Sequence, residues 1–281
     1  MSVTTVPPEP RVTAVASAPP IDKAERRRLA SRRRDSLISF LSPLLLLGLW
    51  EVLVHLGQID KRFFPAPSSI IAAAYELAIT GKLHDHVLKS LWRLAQGFVL
   101  GGVPALVIGV LMGIWRPLRA LVDPLISATF PIPKSSILPL VLLIFGLGEM
   151  SKIMMVAIGV FYPVAINATA GVLQINKVYM DVGRSFKASS WSVFWTVALP
   201  GALPFIMTGI KLGAGLGLVL IAVAEMIGAK SGLGYMIWSA WETFAVEQMY
   251  VGLMMFAIIG FLLSWGLDAL ERWLIPWKSD N

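Results

Sequence analysis

A lysine stands among three prolines inside one of the long apolar segments of this sequence. Lys134 is flanked by Pro131, Pro133 and Pro139. Each proline lacks a backbone donor, so the carbonyl four residues earlier is freed, and a helix broken in this way is stable in lipid only where it faces protein or water. A charge at mid-membrane costs at least about 2.5 kcal/mol, so Lys134 is expected to face a polar interior. These residues indicate a path for a solute, in which Lys134 attracts an anion; the alternative is an ion pair with an acidic residue of a neighbouring span.

Other polar side chains near apolar segments allow weaker predictions. Glu225 lies near the end of a later apolar segment, where it contributes to a gate, anchors a loop or is simply solvated at the membrane surface. Lys211, in the same segment, is expected to extend its ammonium to nearby water rather than to contact solute. His84-Asp85-His86 has potential metal ligands, but side chains two residues apart point away from each other on a helix and no further ligands lie nearby. This tripeptide is therefore expected to be an exposed loop, and no metal site is predicted.

Composition assigns these residues to a membrane protein. Hydrophobic residues make up 56% of the 281 residues and charged residues 15%, with a mean hydropathy of +0.73, whereas soluble domains average about 25% charged residues. The chain has no cysteine, which excludes disulfides and thiolate metal sites. The net charge of +7 gathers beside the apolar segments, where basic residues set orientation. Binding to nucleic acid is therefore not expected.

Six segments are long enough for the roughly 20 residues of a membrane-spanning helix, which predicts an all-α membrane protein. The predicted spans are Leu37–Leu56, Leu91–Ile114, Leu121–Phe145, Ile153–Ile175, Leu203–Ile227 and Tyr250–Leu270. Residues 1–36 are predicted to be a disordered basic tail and residues 37–281 a transmembrane domain. Lysine and arginine are about twice as frequent on the side that holds both termini, so both termini are predicted to be cytoplasmic.

Glycines recur four residues apart in several spans. The pairs are Gly97-x3-Gly101, Gly109-x3-Gly113 and Gly213-x3-Gly217. Because glycine lets helix backbones approach closely, these pairs indicate helix packing. Packing within one subunit is expected to outweigh packing between two copies.

The connection over residues 176–202 is polar, unlike the other, mostly short connections. Val178, Val182 and Phe186 recur at i, i+4 and i+8, which predicts a short helix with one apolar stripe. The segment Leu199–Pro204 is then expected to break the chain and begin the next helix, because proline is tolerated in a first helical turn. The predicted arrangement is a surface helix that turns sharply into the fifth span.

Asp181-Val182-Gly183, Lys187 and Val197-x-Leu199-Pro200 follow one another in this connection with a spacing found in a known family. The segment resembles the cytoplasmic loop of bacterial ABC-importer permeases, whose pattern is Glu-Ala-Ala, three residues, Gly, nine residues and Ile-x-Leu-Pro; Lys187 in the glycine position departs from it. Further stretches resemble the sulfonate, taurine and nitrate branch of that family: Phe64-Pro65-Ala66-Pro67-Ser68, Pro131-Ile132-Pro133-Lys134, Leu138-Pro139-Leu140, Phe145-Gly146-Leu147-Gly148-Glu149, Ser151-Lys152-Ile153, Ala224-Glu225-Met226-Ile227 and Ser231-Gly232-Leu233-Gly234-Tyr235.

The resemblance implies a type I ABC-importer-like permease in the inner (plasma) membrane of a bacterial cell. Its implied partners are two ABC ATPase subunits, a second permease subunit in a homodimer, a periplasmic or lipid-anchored substrate-binding protein and membrane lipid. The loop is then expected to couple to the ATPase, with Phe186 as the apolar knob that enters a groove. The coupling residues are Asp181, Val182, Gly183, Arg184, Ser185, Phe186, Lys187, Ala188, Leu199 and Pro200.

The chain itself contains no recognisable ATP site. A phosphate-binding loop needs Gly, four residues, Gly, Lys and Ser or Thr, and the nearest stretch, Gly81-Lys82, has Glu76 and Leu83 at the other required positions. The chain is thus expected to be a transport subunit without cofactors, with ATP and Mg²⁺ on a partner ATPase, and its solute a small anion such as a sulfonate, taurine or nitrate. The alternative is an ATPase-independent secondary transporter or channel, although no inverted repeat or carboxylate relay is evident. A membrane-embedded enzyme would need a catalytic constellation, and none is evident either.

Overall fold

A computed structural model describes residue 38, residues 41–175 and residues 189–277, and within these ranges the chain consists of helices and connecting loops, without strands. The helices, numbered in chain order, are α1 Leu41–His55, α2 Pro67–Ile79, α3 Lys82–Ile114, α4 Arg116–Thr129, α5 Leu138–Phe145, α6 Glu149–Leu173, α7 Leu199–Met226, α8 Leu233–Glu242 and α9 Val246–Leu274. The all-α membrane fold that composition predicts is confirmed.

Four helical segments of the described chain are long and apolar enough to cross a membrane: α3, α6, α9, and α7 together with the helical residues from Phe194. A fifth crossing consists of α4 and α5 if this pair, bent by 90° at a short break, is one span. Helix α1 is shorter, and the predicted first span begins outside the described residues, so the six-span count stays a prediction. Helices α3 and α6, which contain the predicted second and fourth spans, begin earlier than those spans, at Lys82 and Glu149. Each helix extends beyond its apolar segment into polar residues.

Helix α6 lies at the centre of the described structure, between α3 and α7. In the most apolar stretch of α6, 56% of the residues are buried, whereas in the corresponding stretch of α9 only 17% are buried. Glycines permit this packing: a Cβ atom on Gly101 would lie 2.2 Å from the carbonyl oxygen of Ala157, and Cβ atoms on Gly213 and Gly217 would lie 3.3 and 3.2 Å from side-chain atoms of Val160. The prediction that these glycines pack helices within one subunit is confirmed.

The entry into α7 differs from the prediction. A short α-helix, Ser190–Val193, continues through a π-helical turn, Phe194–Ala198, directly into α7. The sharp turn predicted at Leu199–Pro204 is therefore wrong, and the fifth apolar helix begins near Phe194 rather than at Leu203.

A proline explains the π-helical turn. Pro200 lies in the first turn of α7 and cannot donate a hydrogen bond to the carbonyl of Thr196. The helix widens just before it, and the N–H of Leu199 donates to the carbonyl of Phe194 instead. Proline is thus accommodated inside a continuous helix rather than ending one.

The outer surface of the bundle is apolar. Large side chains such as Leu143 and Phe261 are 82% and 69% exposed, far more apolar surface than a soluble monomer presents. Lipid hydrocarbon or another subunit must cover these side chains. This surface agrees with a multi-pass membrane protein.

Candidate functional site

The break between α4 and α5 is the first candidate site, and Lys134 holds it together. Its Nζ atom donates to the carbonyl oxygens of Thr129 at 2.8 Å, Phe130 at 3.1 Å and Ile132 at 3.0 Å. The three donors of the ammonium therefore bind backbone carbonyls at the end of α4 and in the break, and one of these, that of Thr129, is the carbonyl that Pro133 leaves without its helical donor. Lys134 also lies at the C-terminal end of α4, where the helix dipole favours a cation.

Aromatic rings enclose the Lys134 ammonium from the side. Its Nζ lies 4.0 Å from the ring centroid of Tyr162 and 5.9 Å from that of Phe130, distances at which a ring face attracts a cation. The hydroxyl of Tyr162 donates to the Oγ1 of Thr129 at 3.1 Å and fixes the ring beside the break. Among the described residues no carboxylate pairs with Lys134, so its positive charge is not neutralised within that part of the chain.

The residues of the break lie at the surface of the single chain. Pro131, Ile132 and Pro133 are exposed, and the two serines that follow Lys134 are exposed as well. Proline 139 is already in the first turn of α5, where its missing N–H is tolerated. Because irregular backbone is stable at membrane depth only against protein or water, this face must meet another subunit or an aqueous path.

The second candidate site is a buried ionic cluster around Arg93 of α3. The Nε and Nη2 atoms of Arg93 donate to the two carboxylate oxygens of Glu149 at 2.6 and 2.7 Å. Its Nη1 donates to Glu225 at 2.8 Å and to the backbone carbonyl of Ser231 at 2.6 Å, and its Nη2 also reaches the Ser231 hydroxyl at 3.1 Å. All five donors of the guanidinium are thus satisfied, which is how a side chain only 1% exposed remains charged.

Glu225 is the fully buried carboxylate of this cluster. It is 0% exposed at the end of α7 and accepts hydrogen bonds from Arg93, from the Ser90 hydroxyl at 2.7 Å and from the N–H of Gly234 at 3.0 Å. Ser90 in turn accepts the N–H of Leu233 at 2.8 Å. Of the three possibilities for Glu225, anchoring a loop describes this geometry and simple solvation does not. The end of α7, the start of α8 and α3 are thereby tied together.

A second buried cation, Lys152, secures the neighbouring loops. It is 1% exposed, and its Nζ donates to the carbonyl oxygens of Leu147, Gly148 (2.9 Å) and Gly228 (2.8 Å). Leu147 and Gly148 precede α6, and Gly228 follows α7. Lys152 therefore joins these loops through backbone contacts, beside the ion pairs of Arg93.

Sequence reasoning missed Arg93 and Lys152, which it assigned to the outer connections. A signal for Arg93 was present: it lies four and eight residues before Gly97 and Gly101, on the helix face that packs against α6. A polar residue that extends a stripe of small packing residues is expected to point inward.

The other polar predictions have mixed outcomes. Lys211 does not extend to water but pairs with Asp268 and Glu271 of α9. His84 and His86 belong to the start of α3, not to a loop, and the Nδ1 of His86 accepts the N–H of Gly232 at 3.1 Å. The exposed-loop prediction for this tripeptide is therefore wrong, because the α7–α8 loop packs against it.

Outside the membrane-spanning helices, a turn between α1 and α2 is fixed by charge. The Nη2 of Arg62 lies 2.7 Å from the Oδ2 of Asp60, and the backbone N–H of Arg62 donates to the same carboxylate at 2.9 Å. These hydrogen bonds lower the pKa of Asp60 to about 2. Asp60 is therefore ionised at any physiological pH, and this turn does not change its charge there.

The predicted coupling residues Asp181 to Ala188 lie outside the described residues. Leu199 and Pro200 are described, and they form the first turn of α7. Residues Phe194 to Met226 are one candidate membrane-spanning helix, which runs from this connection to the cluster around Glu225.

The sequence matches a known family. Residues 105–279 match the family described as "Binding-protein-dependent transport system inner membrane component". The match includes the break at Lys134 and the carboxylates Glu149 and Glu225, whereas Arg93 precedes it.

Curated relatives match over almost the whole chain. The sequence is 36% identical to the taurine transport system permease protein TauC of Escherichia coli (strain K12), over 92% of this chain and 97% of that protein. It is 32% identical to the putative aliphatic sulfonates transport permease protein SsuC of Bacillus subtilis (strain 168), over 92% of this chain and 93% of that protein.

A solved structure has a similar fold. The match is to a chain of the MetNI methionine ABC transporter in inward facing conformations, with a TM-score of 0.60 and 20% sequence identity, and it covers 70% of this chain and 98% of that chain. At this identity the likeness concerns the fold alone.

Proposed function

The chain belongs to the family of binding-protein-dependent transport system inner membrane components, and on that premise we propose its solute, its assembly and its moving parts. It is a permease subunit of an ABC importer, a multi-pass membrane protein of type I importer fold. In this family the ATPase and the substrate-binding protein are separate partners, and no enzymatic activity is indicated for this chain.

The proposed solute is a small anion such as a sulfonate, taurine or nitrate. The observation that carries this proposal is Lys134, a cation at a break within the membrane-spanning part whose charge no described carboxylate neutralises. A cation in such a break attracts an anion passing through a path of low dielectric constant. The names of the taurine and aliphatic sulfonate permeases that it resembles agree with this choice.

Lys134 is proposed to have two roles. Because carbonyl oxygens occupy its three donors, it attracts the solute through its charge rather than by a direct hydrogen bond. A weak, non-bonded attraction also allows release, which a path requires. Pro131, Pro133 and Pro139 keep the backbone broken so that this charge stays at the path, and Glu225 anchors the outer end of the neighbouring helix.

The proposed assembly is a homodimer of this chain with two ATPase subunits and a periplasmic or lipid-anchored substrate-binding protein, in the inner membrane of a bacterial cell. The exposed break supports a second copy, because irregular backbone needs protein or water beside it. ATP and Mg²⁺ bind to the ATPase, this chain carries no cofactor, and nucleic acid is not a partner. Residues 1–36 are proposed to be a cytoplasmic tail preceding the transmembrane domain, residues 37–281.

The proposed coupling element is the connection over residues 176–202. Its residues Asp181 to Ala188 dock on the ATPase, with Phe186 in the groove, and Leu199 and Pro200 pass the movement into α7. The continuous helix from Phe194 to Met226 supports this proposal, because a rigid rod transmits displacement from one end to the other. ATP binding on the partner then favours one of two arrangements of the spans, through its differential affinity for them.

Affinity purification from native membranes tests the assembly. Wild type, Phe186→Ala and the control Phe244→Ala are compared; Phe244 is an aromatic residue, 83% exposed, near the opposite end of the bundle. We expect an ATPase to co-elute with wild type and with Phe244→Ala, and ATPase recovery or coupling to fall with Phe186→Ala.

Transport by the same preparations completes the test. The complexes are reconstituted in vesicles with the binding protein, and uptake of radiolabelled taurine is measured with and without ATP. ATP-dependent uptake is the expected result. If the chain purifies without an ATPase and still transports solute, it is a secondary transporter or channel and the proposed coupling is wrong.

A further inference from the structure

The guanidinium of Arg93 has two edges with different surroundings. The first edge, formed by Nη1, donates to Glu225 and to the carbonyl of Ser231. The other edge, formed by Nε and Nη2, binds both oxygens of Glu149. The Glu225 side chain is 0% exposed, whereas that of Glu149 is 63% exposed. Only the second edge therefore has a partner in contact with the surroundings of the protein.

Glu149 is held less firmly than Glu225. Glu225 accepts hydrogen bonds from three different residues, while in the described part of the chain the only hydrogen bonds to the Glu149 side chain come from Arg93. Glu149 is the first residue of α6; Lys152 holds the backbone of Leu147 and Gly148 before it, so the exchange needs only a rotation of the Glu149 side chain. Glu149 can therefore leave Arg93 without breaking any other described side-chain contact.

The Nε and Nη2 donors of Arg93 need an acceptor at this edge. The side chain is 1% exposed; Glu225 still balances its charge when Glu149 leaves, but buried N–H donors without an acceptor are unfavourable. The fork of Nε and Nη2 matches two oxygens of any planar or tetrahedral oxyanion, such as carboxylate, sulfonate or nitrate. A small oxyanion is thus a chemical substitute for the Glu149 carboxylate.

A surface groove, lined mainly by apolar side chains, lies between α3 and α6 near this ion pair. It has a volume of about 490 Å³ and is lined by Trp92, Gln96 and Met150 among others. Neither Arg93 nor Glu149 lines the groove, but Trp92 and Met150 are their sequence neighbours, so the groove lies near the helix ends that carry the ion pair. Its polar lining residue, Gln96, follows Arg93 by one helical turn.

We propose that the Nε–Nη2 edge of Arg93 is an oxyanion-binding edge at the outer mouth of the permease, which Glu149 occupies in this structure and which an anionic solute takes over when the outer side opens. The proposal rests on the anionic solute proposed above. Separation of Glu149 from Arg93 is unfavourable without a replacement anion, so opening is favoured only when solute is present. Glu225 and the Ser231 carbonyl stay in place during this exchange and hold Arg93 in position, and Ser90 keeps Glu225 there.

The test compares anion binding by wild type and by Glu149→Gln, in which the internal competitor has lost its charge. The whole complex with its ATPase is placed in nanodiscs, and its Tm is measured against increasing sodium methanesulfonate, with sodium chloride at equal ionic strength as the reference. We expect methanesulfonate to stabilise Glu149→Gln with an apparent Kd about tenfold lower than that for wild type, because charge-assisted hydrogen bonds are stronger than those to an amide.

Two variants control this measurement. Asp85→Asn removes another exposed carboxylate near the start of α3 and is expected to titrate like wild type. The double variant Glu149→Gln with Arg93→Lys keeps a positive charge but loses the fork, and it is expected to lose the added affinity. The Tm of each variant without methanesulfonate shows whether it is folded before the comparison is made.

The possible outcomes separate this inference from the proposed function. If wild type imports taurine but methanesulfonate affects wild type and Glu149→Gln equally, the oxyanion edge is refuted while the importer remains. If the double variant keeps the affinity, the anion binds elsewhere and the inference is again refuted. If wild type imports no anion in the vesicle assay, both the proposed solute class and this inference are refuted.

Discussion

Two glutamates bind the same guanidinium, and the structure predicts that they differ sharply in their effect on stability. Glu225→Gln and Glu149→Gln are the same chemical change on the same partner, Arg93. Glu225 is 0% exposed and Glu149 is 63% exposed. In Glu225→Gln the cluster keeps its buried cations but loses its buried carboxylate, whereas in Glu149→Gln the lost charge was in contact with solvent.

The magnitudes follow from burial. Breaking a buried ion pair from one side destabilises by about 3–5 kcal/mol, whereas an ion pair with an exposed partner contributes about 0–1 kcal/mol. For a chain of this size 1 kcal/mol shifts the Tm by about 2–4 °C. We therefore expect Glu225→Gln to lower the Tm by about 6–20 °C and Glu149→Gln by about 4 °C or less.

Thermal unfolding of the purified complex, followed by tryptophan fluorescence, measures this difference. Because membrane complexes often unfold irreversibly, all variants are heated at one scan rate and compared as apparent Tm values. Equal shifts for the two variants, or a larger shift for Glu149→Gln, would show that the burial difference does not govern the cluster. That result would refute the assignment of Glu225 as the fixed anchor.

Three further predictions concern the packing and the path. Gly101→Val is expected to lower the Tm strongly, because even a Cβ would lie 2.2 Å from the Ala157 carbonyl oxygen. Gly215→Val is expected to change the Tm little, because a Cβ there would meet no atom within 4 Å. Thermal unfolding of both variants checks this pair. Lys211→Met removes the cation that Asp268 and Glu271 of α9 share, and it is expected to lower the free energy of unfolding by about 1–3 kcal/mol, seen as a lower Tm in the same assay. Lys134→Met is expected to reduce taurine uptake about tenfold, which corresponds to about 1.4 kcal/mol, while Lys134→Arg retains the charge and most of the uptake; equal uptake by both variants would contradict a role for that charge.

The break at α4 and α5 shows how far local sequence reasoning extends. Three prolines in a short apolar segment necessarily remove helical hydrogen bonds, so the broken span was predictable without any tertiary information. The hydrogen-bond partners of Lys134 were not predictable in this way. Both of its predicted partners were anions, but in the structure the ammonium binds three backbone carbonyls of the break, because the chain folds back within five residues.

The start of α7 shows the opposite case. Pro200 and Pro204 were taken as the end of one element and the start of another, because proline usually marks a helix boundary. The structure instead widens the helix at Phe194–Ala198 and continues it. Which of the two outcomes occurs depends on whether neighbouring helices hold the segment straight, and Ala202 and Ile206 are buried in a cluster with Ala168 of α6.

The amino-acid sequence by itself determined the membrane class, the helical fold, the broken span and the glycine faces. Each of these follows from composition or from residues within a few positions of one another. Only the tertiary structure decided that Arg93, Lys152 and Glu225 are buried together, because their partners lie on three helices that are far apart in the chain. A charge near a helix end is compatible with water or with a buried ion pair, and the choice between them depends on which helices converge there.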